Sequence, residues 1–198
     1  MSSASRTAIL IVGVGGQGVI SAARILGEAG VAAGVDAVLS QLHGMSQRGG
    51  SVESAVLLGP GGSALIQAGG ADVVVALEPL EALRAQPRMS ARTQVLVATD
   101  RVVPSAFAVQ GRTYPDNDEI LQRLRAVTPH VHPVDGARLL AEAGAPKALN
   151  MAMLGALGAL GLLPFDPQTL RAAALARSNG RGATNGRAFD AGRTALDP

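Results

Sequence analysis

Residues 7–18 are TAILIVGVGGQG, an apolar run followed at once by a cluster of glycines. A continuous apolar run rich in β-branched residues is typical of a strand buried on both faces of a sheet. The next segment, Val19–Ala33, is rich in Ala, Ile and Leu and has the periodicity of a helix, with Ile20, Ala23, Gly27 and Val31 near one face. Gly34 is placed to end that helix. Asp36–Leu42 then predicts a second strand. The order strand, glycine turn, helix, strand predicts an α/β fold with a Rossmann-like, doubly wound, mostly parallel sheet.

The rest of the chain continues the alternation of short apolar runs and helical patterns. Further strands are predicted at 51–58, 72–77, 94–98 and 130–134, and further helices from 79 onward and at 116–127, 137–143, 147–160 and 167–177. No repeat and no linker divides the chain, so we expect a single domain over residues 1–198. The tail from Ser178 is rich in Gly, Arg and Asn, which predicts either an extended C-terminal arm over 178–198 or a segment that orders against a partner.

Composition excludes several classes of function. The formal net charge is +2, Lys147 is the one lysine, and aromatic residues make up 2% of the chain. A nucleic-acid binder needs a dense basic track, and a single-strand binder adds stacking rings, so we predict no nucleic-acid partner. The chain has no cysteine. It therefore cannot form a disulfide, hold an iron–sulfur cluster through thiolates or present a thiol nucleophile.

The sequence also lacks the pattern of a membrane span. The longest apolar run, 148–164, is interrupted by Asn150 and three glycines, which makes it too short and too polar to cross a bilayer. The first residues lack a basic leader followed by a cleavage site. We therefore expect a soluble cytoplasmic protein with no membrane partner.

The glycine cluster fits the pattern G-x-G-x-x-G between a strand and a helix. Glycine there permits a tight turn and close backbone approach to a ligand, and the helix start offers N–H groups that suit a phosphate or carboxylate. A dinucleotide site also needs an acidic residue at the end of the second strand, but Asp36 lies at its start. Two hypotheses stay open, a small-ligand loop or glycines that serve only packing. The candidate cofactor-binding residues are Gly13, Gly15, Gly16, Gln17 and Gly18.

A second glycine-rich loop, HGMSQRGG at 43–50, follows the second strand. Arg48 is suited to a bidentate contact with a phosphate or carboxylate. The alternatives are a loop held by side-chain hydrogen bonds or an Arg48 contact across a subunit interface. Ser46 is not a predicted nucleophile, because the stretch 44–48 lacks the last glycine of G-x-S-x-G and no base is evident. The candidate ligand-facing residues of this loop are Ser46, Gln47, Arg48 and Gly49.

Asn150 is the lone polar side chain at the start of an apolar helix in which glycine recurs at 155, 158 and 161. If it is buried it must be hydrogen-bonded. A structural role and a ligand-facing role both stay open, so Asn150 joins the candidate cofactor-binding residues. The repeated glycines permit close approach of another backbone, and we favour packing inside the core over a subunit contact.

Other polar residues have weaker patterns. Glu78 and Asp100 follow predicted strands at their carboxyl ends, where α/β folds bind ligands, but a helix start and a turn explain them as well. His130 and His132 share a strand face without a third ligand, so no metal site is predicted, and His43 fits a polar interface. No catalytic residue is predicted in the chain.

Two stretches taken together, GVGGQGVISAARILGEAG at 13–30 and QLHGMSQRGGSVES at 41–54, resemble the gamma domain of the 2-oxoacid:ferredoxin (acceptor) oxidoreductases. Later stretches agree with this resemblance: ADVVVALEPLEALR at 71–84, Tyr114-Pro115 before a helix, NMAMLGALGALGLLP at 150–164 and NGRAFDAG at 185–192. The likeness spans nearly the whole chain. Its overall character is closest to the small (beta) subunit type of the indolepyruvate enzymes.

The resemblance implies a non-redox, gamma-type subunit of a multisubunit 2-oxoacid oxidoreductase, inactive alone, whose complex decarboxylates a 2-oxoacid to an acyl-CoA. In such complexes thiamine diphosphate with Mg and the iron–sulfur clusters belong to partner subunits, and electrons pass to ferredoxin or an NAD-linked acceptor subunit. For this chain it implies no cofactor bound alone, a role in assembly, and contacts with CoA or the active site through the glycine turn and the 44–50 loop.

The 2-oxoacid stays open among pyruvate, branched 2-oxoacids, arylpyruvates and phenylglyoxylate, with a lean towards aromatic substrates. Two alternative functions stay open as well. One is a self-contained NAD(P)-binding Rossmann reductase, although the chain lacks the expected ribose-binding acid and a Tyr-x-x-x-Lys pair. The other is a pure assembly scaffold whose glycine loop binds no small ligand.

Overall fold

The computed structural model of the chain describes residues 6–43, 50–63, 65–103, 113–177 and 180–196. The candidates Ser46, Gln47, Arg48 and Gly49, and the side chain of His43, lie outside this description, so the roles predicted for them stay predictions. In chain order the elements are β1 (Thr7–Val14), α1 (Val19–Ala32), β2 (Ala37–His43), β3 (Ser51–Leu58), β4 (Val73–Ala76), α2 (Pro79–Arg84), a 3-10 turn (Gln86–Arg88), β5 (Gln94–Ala98), α3 (Asn117–Arg125), β6 (Val131–Val134), α4 (Gly136–Glu142), α5 (Leu149–Ala159), α6 (Pro167–Ala176) and α7 (Gly182–Thr194).

One six-stranded sheet carries the fold, in the order β2-β3-β1-β4-β5-β6. β1, β4, β5 and β6 run parallel, whereas β3 runs antiparallel to both of its neighbours, β1 and β2. The predicted α/β fold with a mostly parallel sheet is confirmed. At one end it differs from the usual doubly wound order, because β3 separates β2 from β1. Parallel neighbours need a crossover of about a dozen residues or more, and only residues 44–50 connect β2 to β3.

Helices cover both faces of the sheet and enclose two apolar layers. Ile9 and Ile11 of β1 face the layer formed with α1, α4, α5, α6 and α7. Leu10 and Val12 face the opposite layer, formed with α2 and α3. This alternation along one strand explains why β1 is apolar throughout, as the sequence predicted. Among the residues that the structure describes, no helix has the length and apolar character needed to cross a membrane.

The C-terminal segment differs from the extended arm predicted for 178–198, because residues 182–194 form α7 and pack against α5. The two helices touch through glycine. A Cβ built on Gly155 would lie 2.0 Å from the carbonyl oxygen of Phe189, which is itself 1% exposed. Arg171 of α6 adds a bidentate ion pair to Asp190 of α7, with both contacts at 2.8 Å. Gly155, for which the sequence favoured packing inside the core over a subunit contact, therefore serves a close helix crossing.

Candidate anion-binding site at the glycine turn

The glycine turn, residues 15–18, connects β1 to α1. Gly16 and Gly18 have φ values of +104° and +87°, a left-handed region that costs other residues about 1–2 kcal/mol. A Cβ on Gly18 would lie 2.6 Å from Nδ2 of Asn150, whereas a Cβ on Gly16 would meet no atom within 4 Å. The turn is therefore packed against α5 at Gly18 and faces open space at Gly16.

Gln17 holds this turn in place through its side-chain amide. The backbone N–H of Val14 donates to Gln17 Oε1 at 2.7 Å, and Gln17 Nε2 donates to the carbonyl oxygen of Leu77 at 2.8 Å. These bonds join the carboxyl ends of β1 and β4. Gly13 leaves room for the amide, since a Cβ there would lie 2.8 Å from Gln17 Oε1. Gln17 and Gly13, predicted as ligand-binding residues, are thus engaged in shaping the turn.

Asn150 lies behind the turn, near the start of α5, with 9% of its surface exposed. Its Oδ1 accepts a hydrogen bond from the backbone N–H of Met151 at 3.1 Å, and its Nδ2 is 3.5 Å from the carbonyl oxygen of Gly18. The sequence placed Asn150 and the glycine turn among the same candidates, and the structure brings them into contact across 132 residues of chain.

A polar cavity of about 260 Å³ opens beside the turn. Its wall is formed by the backbone of residues 16–18, by the start of α5 and by the start of α7, and three basic side chains, Lys147, Arg177 and Arg181, line it. A second cavity of about 350 Å³ lies on the β3 side of the turn, beside Val52, and its lining is mostly apolar. Only the first cavity offers the charge that an anionic group requires.

Three helices begin at the polar cavity without a side-chain cap. They are α1, α5 and α7, whose N-cap residues are Gly18, Ala148 and Arg181. The other four helices in the described part of the chain each begin with a capping carboxylate, from Glu78, Asp116, Asp135 and Asp166. An uncapped N-terminus keeps unpaired N–H groups and a positive dipole end. The positive ends that the fold leaves uncapped are therefore gathered around one cavity, which suits an anion.

The three basic side chains differ in their pairing. Arg177 Nε lies 2.6 Å from Glu28 Oε2, and this hydrogen bond is the main reason why the pKa of Glu28 is lowered. Arg177 is thus largely neutralised. Lys147 and Arg181 form no ion pair with any residue that the structure describes. The two of them carry the uncompensated charge of the cavity, and no acidic residue lines it.

The polypeptide that follows the 44–49 segment is attached to the turn. The backbone N–H of Gly15 donates to the carbonyl oxygen of Gly50 at 2.9 Å, and Ser51 Oγ donates to Glu81 Oε2 at 2.5 Å. Glu81 is 2% exposed. Its burial raises the pKa of the carboxyl above the ordinary value, and the hydrogen bond from Ser51 and the charge of Arg84 oppose that rise. Glu81, which the sequence analysis did not single out, therefore positions the end of the second glycine-rich loop.

Glu78, a weak ligand candidate in the sequence, serves as a structural cap. Its Oε2 accepts hydrogen bonds from the backbone N–H groups of Leu80 and Glu81 at 2.8 and 3.1 Å. Its Oε1 accepts from the backbone N–H of Val102 at 3.2 Å and from the hydroxyl of Tyr114. Burial and this carboxylate together raise the pKa of Tyr114. Glu78 has no oxygen left for a ligand.

Asp100 and His132 of β6 also have structural contacts. Asp100 Oδ1 accepts a hydrogen bond from the backbone N–H of Ala137 at 3.0 Å, at the start of α4. His132 Nε2 lies 2.8 Å from Gln94 Oε1, and burial lowers its pKa. Within the described ranges, no group of three or more His, Cys, Asp or Glu side chains is placed to hold a metal ion.

Lys147 and Arg181 are the site residues that the sequence analysis missed. Lys147 precedes the N-cap of α5 by one residue, and Arg181 is itself the N-cap of α7. A cation at the start of a helix opposes the helix dipole. The unfavourable position of these two cations is the sequence signal that could have found them. A residue that destabilises its own helix is a candidate for another role.

Comparison with known proteins decides the family. A family model described as pyruvate ferredoxin/flavodoxin oxidoreductase matches residues 8–195. The chain belongs to this family. The match includes the glycine turn, the cavity and both helices of the C-terminal crossing, so the predicted membership is confirmed for the part of the chain that forms the candidate site.

Individual relatives are similar over most of both chains. The indolepyruvate oxidoreductase subunit IorB of Archaeoglobus fulgidus is 41% identical over 160 residues, covering 81% of this chain and 80% of that protein. The subunit of the same name from Methanothermobacter thermautotrophicus is 38% identical over 162 residues, covering 82% and 83%. The predicted likeness to the small subunit of the indolepyruvate enzymes is confirmed.

Solved structures share the fold. The gamma subunit of a keto/oxoacid ferredoxin oxidoreductase from Geobacter sulfurreducens PCA matches with a TM-score of 0.69 at 24% identity, covering 97% of this chain and 99% of that one. The 2-oxoglutarate:ferredoxin oxidoreductase from Magnetococcus marinus matches with a TM-score of 0.72 at 20% identity, covering 96% of this chain and 31% of that chain. The same fold therefore occurs both as a separate chain and as part of a longer one.

Proposed function

We propose that this chain is the non-redox, gamma-type subunit of a multisubunit 2-oxoacid oxidoreductase, and that its polar cavity holds the phosphate end of CoA. The observation that carries the CoA contact is the meeting of three uncapped helix N-termini with Lys147 and Arg181 around one cavity. Family membership supports the subunit role. The Magnetococcus relative of the same fold was solved with coenzyme A and succinyl-CoA bound.

The size of the cavity limits what it takes. Sites that enclose a whole drug-sized ligand have about 300–1,000 Å³, and this cavity has about 260 Å³. It would therefore hold the phosphates while the rest of CoA lies outside. The open backbone at Gly16 permits close approach, and Lys147 and Arg181 supply charge-assisted hydrogen bonds. The chain would thus orient CoA, with its thiol end directed away from the cavity towards a partner subunit.

The redox and carbanion chemistry would lie in those partners. The chain has no cysteine to ligate a cluster, and bound thiamine diphosphate with Mg would supply the decarboxylation chemistry from a partner subunit. The partners we propose are thiamine-binding and iron–sulfur subunits, with ferredoxin or an NAD-linked subunit as the acceptor. An arylpyruvate is the 2-oxoacid we favour, because the similar IorB proteins are named as indolepyruvate oxidoreductase subunits.

Two observations weigh against a self-contained NAD(P) reductase. Asp36 precedes the first residue of β2, which leaves it at the opposite end of the strand from a ribose-binding acid. β3 lies between β1 and β2, so an antiparallel strand occupies the position from which that acid would reach the ribose. Saturable binding of NADPH to the purified chain would favour the reductase instead.

The test uses the complex purified through a tag on this chain under anaerobic conditions and assayed by viologen dye reduction with an arylpyruvate and CoA. Lys147→Ala and Arg181→Ala should each raise the KM for CoA about tenfold, the effect of losing about 1.4 kcal/mol of binding. The KM for the 2-oxoacid and the amount of copurified partner should stay unchanged. Arg193→Ala, which removes an exposed arginine from α7 outside the cavity, is the matched control.

The outcomes separate the alternatives. Variants that lower the yield of the complex and leave the KM for CoA unchanged would support a pure assembly scaffold and contradict the CoA contact. A chain that copurifies with no thiamine-containing partner, and whose eluate reduces no dye, would contradict the subunit role itself.

A further inference from the structure

The two edges of the sheet are protected differently. β6 forms one edge with four residues, one of which is Pro133, and Pro cannot donate a hydrogen bond to a further strand. β2 forms the other edge with seven residues, AVLSQLH, and contains no Lys, Arg, Asp, Glu or Pro. No described residue pairs with its outer side. Natural sheets blunt a free edge with charge, proline or short length, so β2 has the character of a strand that pairs with another chain.

The surface beside β2 is also apolar and exposed, on both faces of the sheet. On one face an open groove of about 380 Å³ runs between α1 and β2, floored by Gly27, Ala37 and Leu39. Val31 stands at this groove with 66% of its surface exposed. On the other face Leu42 of β2 is 54% exposed. Exposed apolar side chains therefore lie on both faces of the sheet at this edge. A partner that added a strand to β2 would cover both sets.

We propose that the partner at this edge is a second copy of the same chain, with the two β2 strands paired antiparallel about Ser40. This register uses all seven residues of β2 and places Val38 of one copy opposite Leu42 of the other. Both residues point to the same face. Directly opposed apolar side chains stabilise an antiparallel pair, and here they cover the exposed Leu42. The result is a closed two-fold dimer with a continuous twelve-stranded sheet.

The charges on α1 fit the same two-fold axis. Gly27 lies against Leu39, with a built Cβ only 2.6 Å from Leu39 Cδ1, so the two-fold axis, which runs between the paired β2 strands at Ser40, passes near Gly27. Arg24 and Glu28 lie close to Gly27 at the groove. Arg177 of the same chain already holds Glu28 Oε2 at 2.6 Å, and Glu28 Oε1 is the oxygen that would face the other chain. An antiparallel copy therefore brings Arg24 of one chain towards Glu28 of the other, and the reverse. A second copy would therefore offer each groove a charge complementary to its own, in addition to the pair that Glu28 makes with Arg177.

The spacing of the elements leaves room for that exchange. α1 packs across β1, β2 and β3, most extensively on β3, so its axis lies over β3. In the dimer the two β3 strands are three strand spacings apart, or about 14 Å. Two helix backbones of radius about 2.3 Å then leave a gap that an arginine and a glutamate reaching towards each other can span. The helices do not clash, and their long side chains close the groove.

The test measures the molecular mass of the purified full chain by analytical sedimentation. The same measurement is made on variants in which the charge at Arg24 or Glu28 is reversed. The wild type should be a dimer. Arg24→Glu and Glu28→Arg should each be monomeric, because each places like charges at both symmetry-related contacts and weakens association roughly tenfold or more. A mixture of the two variants should dimerise again, since their opposite charges face each other. Leu42→Lys should also give a monomer by adding a charge to the edge.

The matched controls are Arg123→Glu and Glu119→Arg, which reverse a solvent-exposed i,i+4 pair on α3. These should remain dimeric, and circular dichroism should show that every variant is folded. A wild-type chain that is monomeric at tens of micromolar would overturn the proposal. A monomer whose copurification with a partner subunit is abolished by Leu42→Lys would overturn it as well and assign the edge to that partner. Arg24→Glu and Leu42→Lys change no residue that lines the polar cavity, so their outcomes do not depend on CoA binding, whereas Glu28→Arg also removes the partner of Arg177.

Discussion

Gly192 of α7 lies against Ala152 of α5 so closely that a Cβ on Gly192 would fall 1.8 Å from the carbonyl oxygen of Ala152. The reciprocal contact, Gly155 against Phe189, has the same character. Backbone meets backbone at both points, and no flexible side chain can move aside. The crossing fixes α7 on α5 and with it the position of Arg181 at the cavity.

Gly192→Ala is therefore expected to destabilise the chain by at least about 3 kcal/mol, the upper part of the range for overpacking a core. Gly182→Ala on the same helix is the matched control, because a Cβ there meets no atom within 4 Å. Its effect should lie within about 1 kcal/mol of neutral, in the stabilising direction. Urea unfolding of both variants measures the difference. Equal stabilities would contradict the close crossing.

Positions 16 and 18 require glycine for different reasons. Both have positive φ, so an alanine at either costs about 1–2 kcal/mol of backbone strain. Gly18→Ala adds a collision with Asn150 and should lose more stability than Gly16→Ala.

Asn150→Ala should restore part of the stability lost in Gly18→Ala, because it removes the colliding amide. When Asn150→Ala is combined with Gly16→Ala, it should restore no stability, since no atom lies within 4 Å of a Cβ at position 16. A double-mutant cycle by urea unfolding compares the two couplings. Equal couplings would mean that Asn150 does not pack on the turn.

The buried carboxyl of Glu81 should appear in the pH dependence of stability. Its pKa is raised in the folded chain from an ordinary value of 4.5, chiefly by burial. Between the unfolded and folded pKa values the folded state binds more protons, so the free energy of unfolding falls as pH rises through that window. Glu81→Gln removes this dependence. The stability of the variant relative to the wild type should therefore increase as pH rises above about 4.5, and parallel curves in urea titrations at several pH values would contradict the burial of the charge.

Much of the fold could be predicted because its signals are local. The stretch 8–12 is apolar on every residue, as a strand buried on both faces must be. Asp116 caps a helix by accepting from the backbone N–H of Glu119, only three residues away. The tail forms α7, whereas the sequence predicted an extended arm or a segment that orders against a partner. Glycine in a sequence indicates a loop unless the helix against which it packs is known. Gly192 needs Ala152, which lies forty residues earlier in the chain.

The sequence by itself determined the alternation of strands and helices, the glycine turn at 15–18 and the exclusion of thiolate chemistry, since each depends on neighbouring residues or on composition. The tertiary structure alone decided that β3 lies between β1 and β2, that Gln17 is engaged with Leu77, and that Lys147 and Arg181 share one cavity. The physical reason is that a cavity lined by several helix starts depends on how distant helices pack. Each start, taken alone in the sequence, shows only a missing cap.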